Sequence, residues 1–198
     1  AERARRQGRR CSSVVGPATQ VLELWRLLKP HWGRAREVRE AQPLLAIHGP
    51  PQVEPDLEVR LVQPDEIEVL MPACIAMFTE EVGVSPLAGD GGALYRARVE
   101  ELIATGRAFA RVEDGVVVFK AEIGASTRAA CQVQGVWVDP RLRGHGVGTA
   151  GMAAVVAAAQ SSVAPIVSLY VNDFNLSARR SYEKVGFDQV GTFASVLF

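Results

Sequence analysis

The stretch "GVWVDPRLRGHGVGTAGMAAVVAAAQ", residues 135–160, constrains the fold more than any other part of the chain. An apolar run ends at Asp139 and Pro140. Gly144, Gly146 and Gly148 follow with Arg141 and Arg143 beside them, and an alanine-rich run then predicts a helix from about Val147. Glycine costs a helix about 1 kcal/mol relative to alanine, so glycines at a helix start answer a backbone requirement. A strand feeding such a turn into a helix makes an anion site. Backbone N–H groups converge there, the first-turn donors lack intrahelical partners, and the helix dipole favours negative charge. Glycine also admits positive φ and lets a phosphate approach closely. The plainer alternative is a tight strand-to-helix turn with arginines facing solvent. No Gly-Lys-Ser/Thr follows, which excludes a Walker loop, and the preceding antiparallel pattern does not suit a dinucleotide fingerprint.

That pattern is "RAFARVEDGVVVFKAEIGA" followed by "AACQVQGVWVDP". Asp114-Gly115 between apolar runs is a hairpin signal, and the segment predicts a three-stranded antiparallel meander. Upstream, "LEVRLVQ" alternates like a strand, "DEIEVLMPACIAMFTEEVG" predicts a helix containing Pro72, and "GGALYRARVEELIATG" a second helix ended by Gly106. Downstream come a buried strand at "PIVSLYV", a helix at "NLSARRSYEKVG" and strand material at "FDQVGTFASVLF". From Leu57 onward the pattern is an α/β mixture.

Residues 1–55 read differently. "AERARRQGRR" is a basic arm; without aromatic residues or a recognition motif it is expected to be disordered rather than to bind nucleic acid. In "PATQVLELWRLLKPHWG", Val21, Leu24, Trp25, Leu28 and Trp32 recur at helical spacing, between Pro17 and the Pro30 and Gly33 stops. This predicts a helix of about three turns. "AREVREAQPLLAIHG" predicts a short strand and "GPPQVEP" a linker. So short a segment cannot bury its own core, and the apolar stripe is expected to dock on the rest of the chain or on a second copy.

Composition narrows the classes. A formal net charge of zero gives no field toward nucleic acid or membrane, and no apolar run is long enough to span a bilayer. The first residue is not Met, which suggests a trimmed or partial chain; no secretory h-region follows the arm. Cys11, Cys74 and Cys131 are odd in number and widely spaced. They suit reduced thiols in a cytoplasmic protein and, like His31, His48 and His145, show no metal-ligand spacing.

"VWVDPRLRGHGVG" resembles the acyl-CoA-binding motif of the GNAT (Gcn5-related N-acetyltransferase) superfamily, Arg/Gln-x-x-Gly-x-Gly/Ala, at Arg143, Gly146 and Gly148. "LYVNDFNLSARRSYEKVGF" is similar to the family's second signature, with Asn175, Ala178, Tyr182, Gly186 and Phe187 at the expected spacings. The resemblance implies an α/β (α+β) fold, a mixed and mostly antiparallel sheet flanked by helices, over residues 56–198. Residues 1–55 would be an N-terminal helical and strand extension. That segment resembles the extra, degenerate GNAT-like domain of some actinobacterial members. The composition, rich in arginine over lysine and in alanine, fits a GC-rich bacterial source.

The implied function is acetyl-CoA-dependent N-acetyltransfer to a primary amine of a small molecule or peptide by direct attack, with no metal. The alternative is a non-catalytic acyl-CoA sensor or structural module. A homodimer is possible. The cradle for the CoA pyrophosphate would be the backbone of Arg143, Gly144, His145, Gly146, Val147, Gly148 and Thr149, with the His145 side chain facing solvent. Val136 and Val138 would hydrogen-bond the pantetheine arm through their backbone while packing as ordinary β-branched residues. Asn175 would bond the same arm or cap its helix. Tyr182 would be the general acid for the departing thiolate, or simply core. Many family members carry a Glu where this chain has Gln132, with Gln134 beside it. Glu122 on the preceding strand is then the nearest carboxylate able to act as base, its plainer reading being a solvated strand residue. Glu80 and Glu81 could attract a cationic amine, though two glutamates ending a helix usually mark surface.

Overall fold

The computed structural model describes residues 1–88 and 91–198. Helices are α1 (Glu2–Gln7), α2 (Ala18–Trp32), α3 (Ile67–Val82), α4 (Ala93–Ala104), α5 (Val147–Ser162) and α6 (Leu176–Val185). Strands are β1 (Ser13–Pro17), β2 (Glu37–Ile47), β3 (Arg60–Leu61), β4 (Ala108–Glu113), β5 (Val116–Ser126), β6 (Ala130–Val138), β7 (Ile166–Tyr170) and β8 (Asp188–Leu197). β1 and β2 each pair with β8, β3 with β4, β4 with β5 and β5 with β6, all antiparallel, and β6 pairs with β7 in parallel. The fold is the expected α/β one, mixed and mostly antiparallel strands with flanking helices.

The compact units do not follow chain order. A terminal unit gathers Ala1–Ala46, Tyr170–Arg179 and Asp188–Phe198; a central unit holds Ile47–Leu169 and Arg180–Phe187. In the terminal unit β8 pairs on one edge with β1 and on the other with β2. Val21, Trp25 and Leu28 of α2 pack on Ala194 and Val196 of β8. The apolar stripe therefore finds its partner in strand material near the other end of the chain. The proline-bearing last turn carries α2 through Trp32, one turn beyond expectation. Trp32 then donates its indole N–H to the Ala4 carbonyl at 3.1 Å. This bond, and the Arg9 guanidinium 4.9 Å over the Phe198 ring, give the basic arm partners. It is a helix, α1, rather than the expected disordered arm, and β2 is longer than the short strand foreseen.

In the central unit β3 to β6 form an antiparallel meander, and Asp114 and Gly115 at positive φ make its hairpin turn. The strand expected at "LEVRLVQ" shrinks to two residues, because Asp56 turns the chain. Its carboxylate accepts from the Glu58 N–H and its carbonyl from the Val59 N–H. One core lies between the meander and α3 and α4, built from Leu70, Cys74, Leu102, Ile103 and Ala110. Among the described residues no helix is long and apolar enough to cross a membrane.

Candidate active site

At the end of β6 the chain turns on Asp139. Its carboxylate accepts from the Arg141 N–H at 2.9 Å and from the Arg141 guanidinium at 2.6 Å, capping the short 3-10 turn Pro140–Leu142. The guanidinium first and the backbone N–H second hold the Asp139 carboxyl down at about 2. Arg143 is equally occupied. Its Nε donates to the Val138 carbonyl at 3.0 Å and its Nη2 to both Glu80 oxygens at 2.8 and 3.1 Å. Glu80, at the end of α3, also accepts from the Trp137 indole at 3.3 Å. It serves as the counter-ion of the loop, and is not an idle surface charge. Both loop arginines are thus paired, Arg141 with Asp139 inside the turn and Arg143 with Glu80 of α3.

What the loop presents instead is backbone. Gly144 and Gly146 sit at φ 81° and 87° with open space where a Cβ would be. Thr149 and Ala150 N–H groups close onto the Gly146 carbonyl and start α5. Among the described residues, the N–H groups of Gly144, His145, Gly146, Val147 and Gly148 make no backbone hydrogen bond of good geometry. Five adjacent donors at the positive end of a helix dipole can receive an anion. The His145 ring folds back, with Nδ1 2.9 Å from the Arg143 carbonyl, and the residue is exposed.

The strand leading into the loop has one open edge. Among the described residues β6 pairs with β7 at Ala130↔Ile166, Cys131↔Val167 and Gln132↔Ser168. The β6 residues after Gln132 take no part in that pairing. On the opposite edge Trp137 pairs with Lys120, and Asp139 donates its N–H to the Val118 carbonyl. Because backbone groups alternate along a strand, Val136 and Val138 direct theirs to the open edge. The Val138 carbonyl there is taken by Arg143.

Glu122 faces α3 and α4 from β5. Its Oε1 accepts from the Gln134 amide at 2.8 Å and its Oε2 lies 3.4 Å from the Lys120 ammonium. The side chain is 12% exposed, so it is no solvated strand carboxylate. Lys120 itself is almost wholly buried. Sequence reasoning passed over it, although a lysine inside "VVVFKAEI" with Phe119, Ala121 and Ile123 on the alternate face was a visible signal. Gln132 lies in the β6–β7 pairing, and its neighbour Gln134 bonds Glu122.

Tyr182 is buried on α6, edge-on to Phe187 at 5.9 Å between ring centroids. Burial first, and the Glu81 carboxylate second, push its phenol well above the usual tyrosine range. The phenol therefore stays protonated through the ordinary pH range. The structure records no contact between Tyr182 and Glu122. Asn175, in the terminal unit, caps α6: its Oδ1 accepts from the Ala178 N–H at 3.2 Å. Its capping role is therefore present, and its Nδ2 is left over for any ligand. Among the described residues no group of three His, Cys, Asp or Glu could hold a metal ion.

Two family profiles match the chain. The family profile described as "Acetyltransferase (GNAT) family" matches residues 76–187, and "Domain of unknown function (DUF4081)" matches residues 1–70. No curated protein is significantly similar to the chain. Among solved structures, a GNAT-family protein from Novosphingobium aromaticivorans is 21% identical with a TM-score of 0.59, over 83% of this chain and 66% of that one. A GCN5-related N-acetyltransferase from Kribbella flavida is 17% identical with a TM-score of 0.59, over 93% and 67%. A protein from Clostridium acetobutylicum, described as a predicted acetyltransferase and solved with acetyl-CoA, is 16% identical with a TM-score of 0.53, over 67% and 90%. The chain thus spans about two thirds of the length of the first two relatives.

Proposed function

The chain belongs to the GNAT acetyltransferase family, and from that premise we propose that it moves an acetyl group from acetyl-CoA to a primary amine of a small molecule or peptide. The observation that carries this reading is the cradle of unpartnered N–H groups at the start of α5, continuous with the open edge of β6. A pyrophosphate fits the cradle, and an extended pantetheine arm fits a strand edge that lacks a neighbour. Acetyl-CoA carries both. The Val136 N–H on that edge would polarise the thioester carbonyl. No metal enters the proposal.

The chemistry is direct attack. A neutral amine adds to the thioester carbonyl carbon, forming the C–N bond and a tetrahedral oxyanion. The carbon–sulfur bond then breaks, and the thiolate leaves with the electron pair. Glu122 would take the proton of the amine, directly or through a water, and the Tyr182 phenol would supply one to the thiolate. The acceptor would enter from the α3 and α4 side. An open, mostly apolar groove of about 530 Å³ lies there, lined by Phe78, Pro86, Ala88, Leu94, Tyr95 and Arg98. Cytoplasmic work on a soluble amine is part of the same proposal.

Two measurements test it. Calorimetry with CoA should give a saturable heat that Gly146→Asp abolishes, since that variant sets a carboxylate against the pyrophosphate. Unchanged affinity in a folded Gly146→Asp variant would remove the loop from the site. Thiol release from acetyl-CoA across a panel of amines and peptides should show turnover. Heat without turnover would make the chain an acyl-CoA sensor.

A further inference from the structure

We propose that Lys120 is a positioning residue of this site, holding the Glu122 carboxylate and the Gly135 carbonyl in one constellation beneath the open edge of β6. The inference rests on the acyl-transfer reading and goes beyond it, because neither motif of the family resemblance includes Lys120.

The constellation is built at visible cost. Lys120 is 1% exposed, and its ammonium donates to the Gly135 carbonyl at 2.8 Å while lying 3.4 Å from Glu122. A buried ion pair brings little net stability over apolar residues of the same volume, so packing alone does not account for it. Two glycines make room for it. A Cβ on Gly124 would fall inside the Gln134 carboxamide. A Cβ on Gly135 would stand 3.0 Å from the Glu122 carboxyl carbon and 3.1 Å from the Lys120 nitrogen, and Gly135 is at φ 60°. The β5–β6 register skips between Lys120 and Glu122, which marks a bulge at Gly135. Bulges re-aim the residues beside them, and the residue beside this one is Val136.

Lys120 would therefore act twice. It fixes the backbone geometry that turns the Val136 N–H toward the open edge. It also places a cation 3.4 Å from the carboxylate of the proposed base and so fixes where that carboxylate stands. The titratable groups that face the pair are Cys74 of α3 and Tyr95 of α4, both with titration pushed upward chiefly by burial. Tyr95 donates to the Cys74 carbonyl at 2.9 Å. Both are neutral neighbours, so Lys120 supplies the local positive charge. Gln134, from β6, adds a neutral donor.

The test compares variants of the full chain by thiol release from acetyl-CoA and by calorimetry with CoA. In Lys120→Met, kcat should fall about tenfold or more, while CoA affinity stays near that of the native chain. An unchanged kcat in folded Lys120→Met overturns the proposal, and so does a loss of CoA affinity that accounts for the whole effect. Should that variant not fold, Lys120→Gln keeps a donor for the Gly135 carbonyl and carries the same expectation; an unchanged kcat there overturns the proposal equally. A native chain that releases no thiol from acetyl-CoA would sink the acyl-transfer reading itself, and this proposal with it.

Discussion

Burial and the Glu81 carboxylate both disfavour a phenolate at Tyr182, burial the more. The proton proposed for the thiolate is thus present across the working range. Tyr182→Phe should lower acetyl transfer about a hundredfold to ten-thousandfold, the usual scale of general-acid help, with CoA affinity nearly intact. Raised titration also predicts the shape of the profile. Up to about pH 10, the ordinary tyrosine value, native and Tyr182→Phe enzymes should show no difference in their alkaline limbs. A limb lost in the variant alone would mean that the phenol titrates in that range. At this scale the sequence was partly legible: the glycines and Tyr182 stand in recognisable spacings. The partner of Arg143 was not, because Glu80 reaches it only across the packing of α3 on the sheet; Lys120 stands two residues from Glu122 on β5, and what the pattern left unread was its burial.

Asp139 pins the first residues of the turn between β6 and α5. Asp139 holds its low value of about 2 through Arg141, and Glu66 reaches about 2 through the Arg60 guanidinium and the Gln63 N–H. Both folded values lie below the ordinary carboxylate range of roughly 4. Their stabilisation is therefore complete above that range and is lost as pH falls toward 2. Denaturant midpoints should drop steeply between about pH 4 and pH 2. In Asp139→Asn the drop should be shallower, from a lower plateau at neutral pH. Equal slopes would show that the turn does not respond to its charge. Elements this local were also the ones that sequence pattern located well. The meander, α3, α4 and α5 come out within a turn of expectation. β3 and α1 do not, because an Asp56 turn shortens the first and an indole of α2 steadies the second.

On the scale of the whole molecule, the extension of residues 1–55 was expected to need an outside partner for its apolar stripe. The partner is β8, with Trp25 stacked edge-on to Phe198 at 5.5 Å between centroids. Trp25→Ala should destabilise the terminal unit by about 3–5 kcal/mol, as large aromatic truncations in cores do. Calorimetric unfolding would show it as an early transition. Deleting residues 1–55 should strip β8 of both its neighbours, exposing two strand edges, and the remainder should aggregate. A truncated chain that stays monomeric with unchanged melting would show that β8 needs neither. The pairing was not legible from sequence because β8 reads as ordinary strand material, and nothing local in it specifies partners more than a hundred residues away.

That pairing also sets an order of events during synthesis. β1 and β2 do not pair with each other; both wait for β8, which lies between them. Roughly 140 residues separate β2 from β8, and at about 5–20 residues per second the ribosome takes on the order of 7–30 s to deliver it. During that interval two strands and the tryptophan-bearing face of α2 have left the ribosome without their template. The early segment stays without its sheet partner until translation reaches β8. Arrested nascent chains carrying only residues 1–120 should accordingly be readily cleaved by protease within β2, while chains that include β8 should be protected.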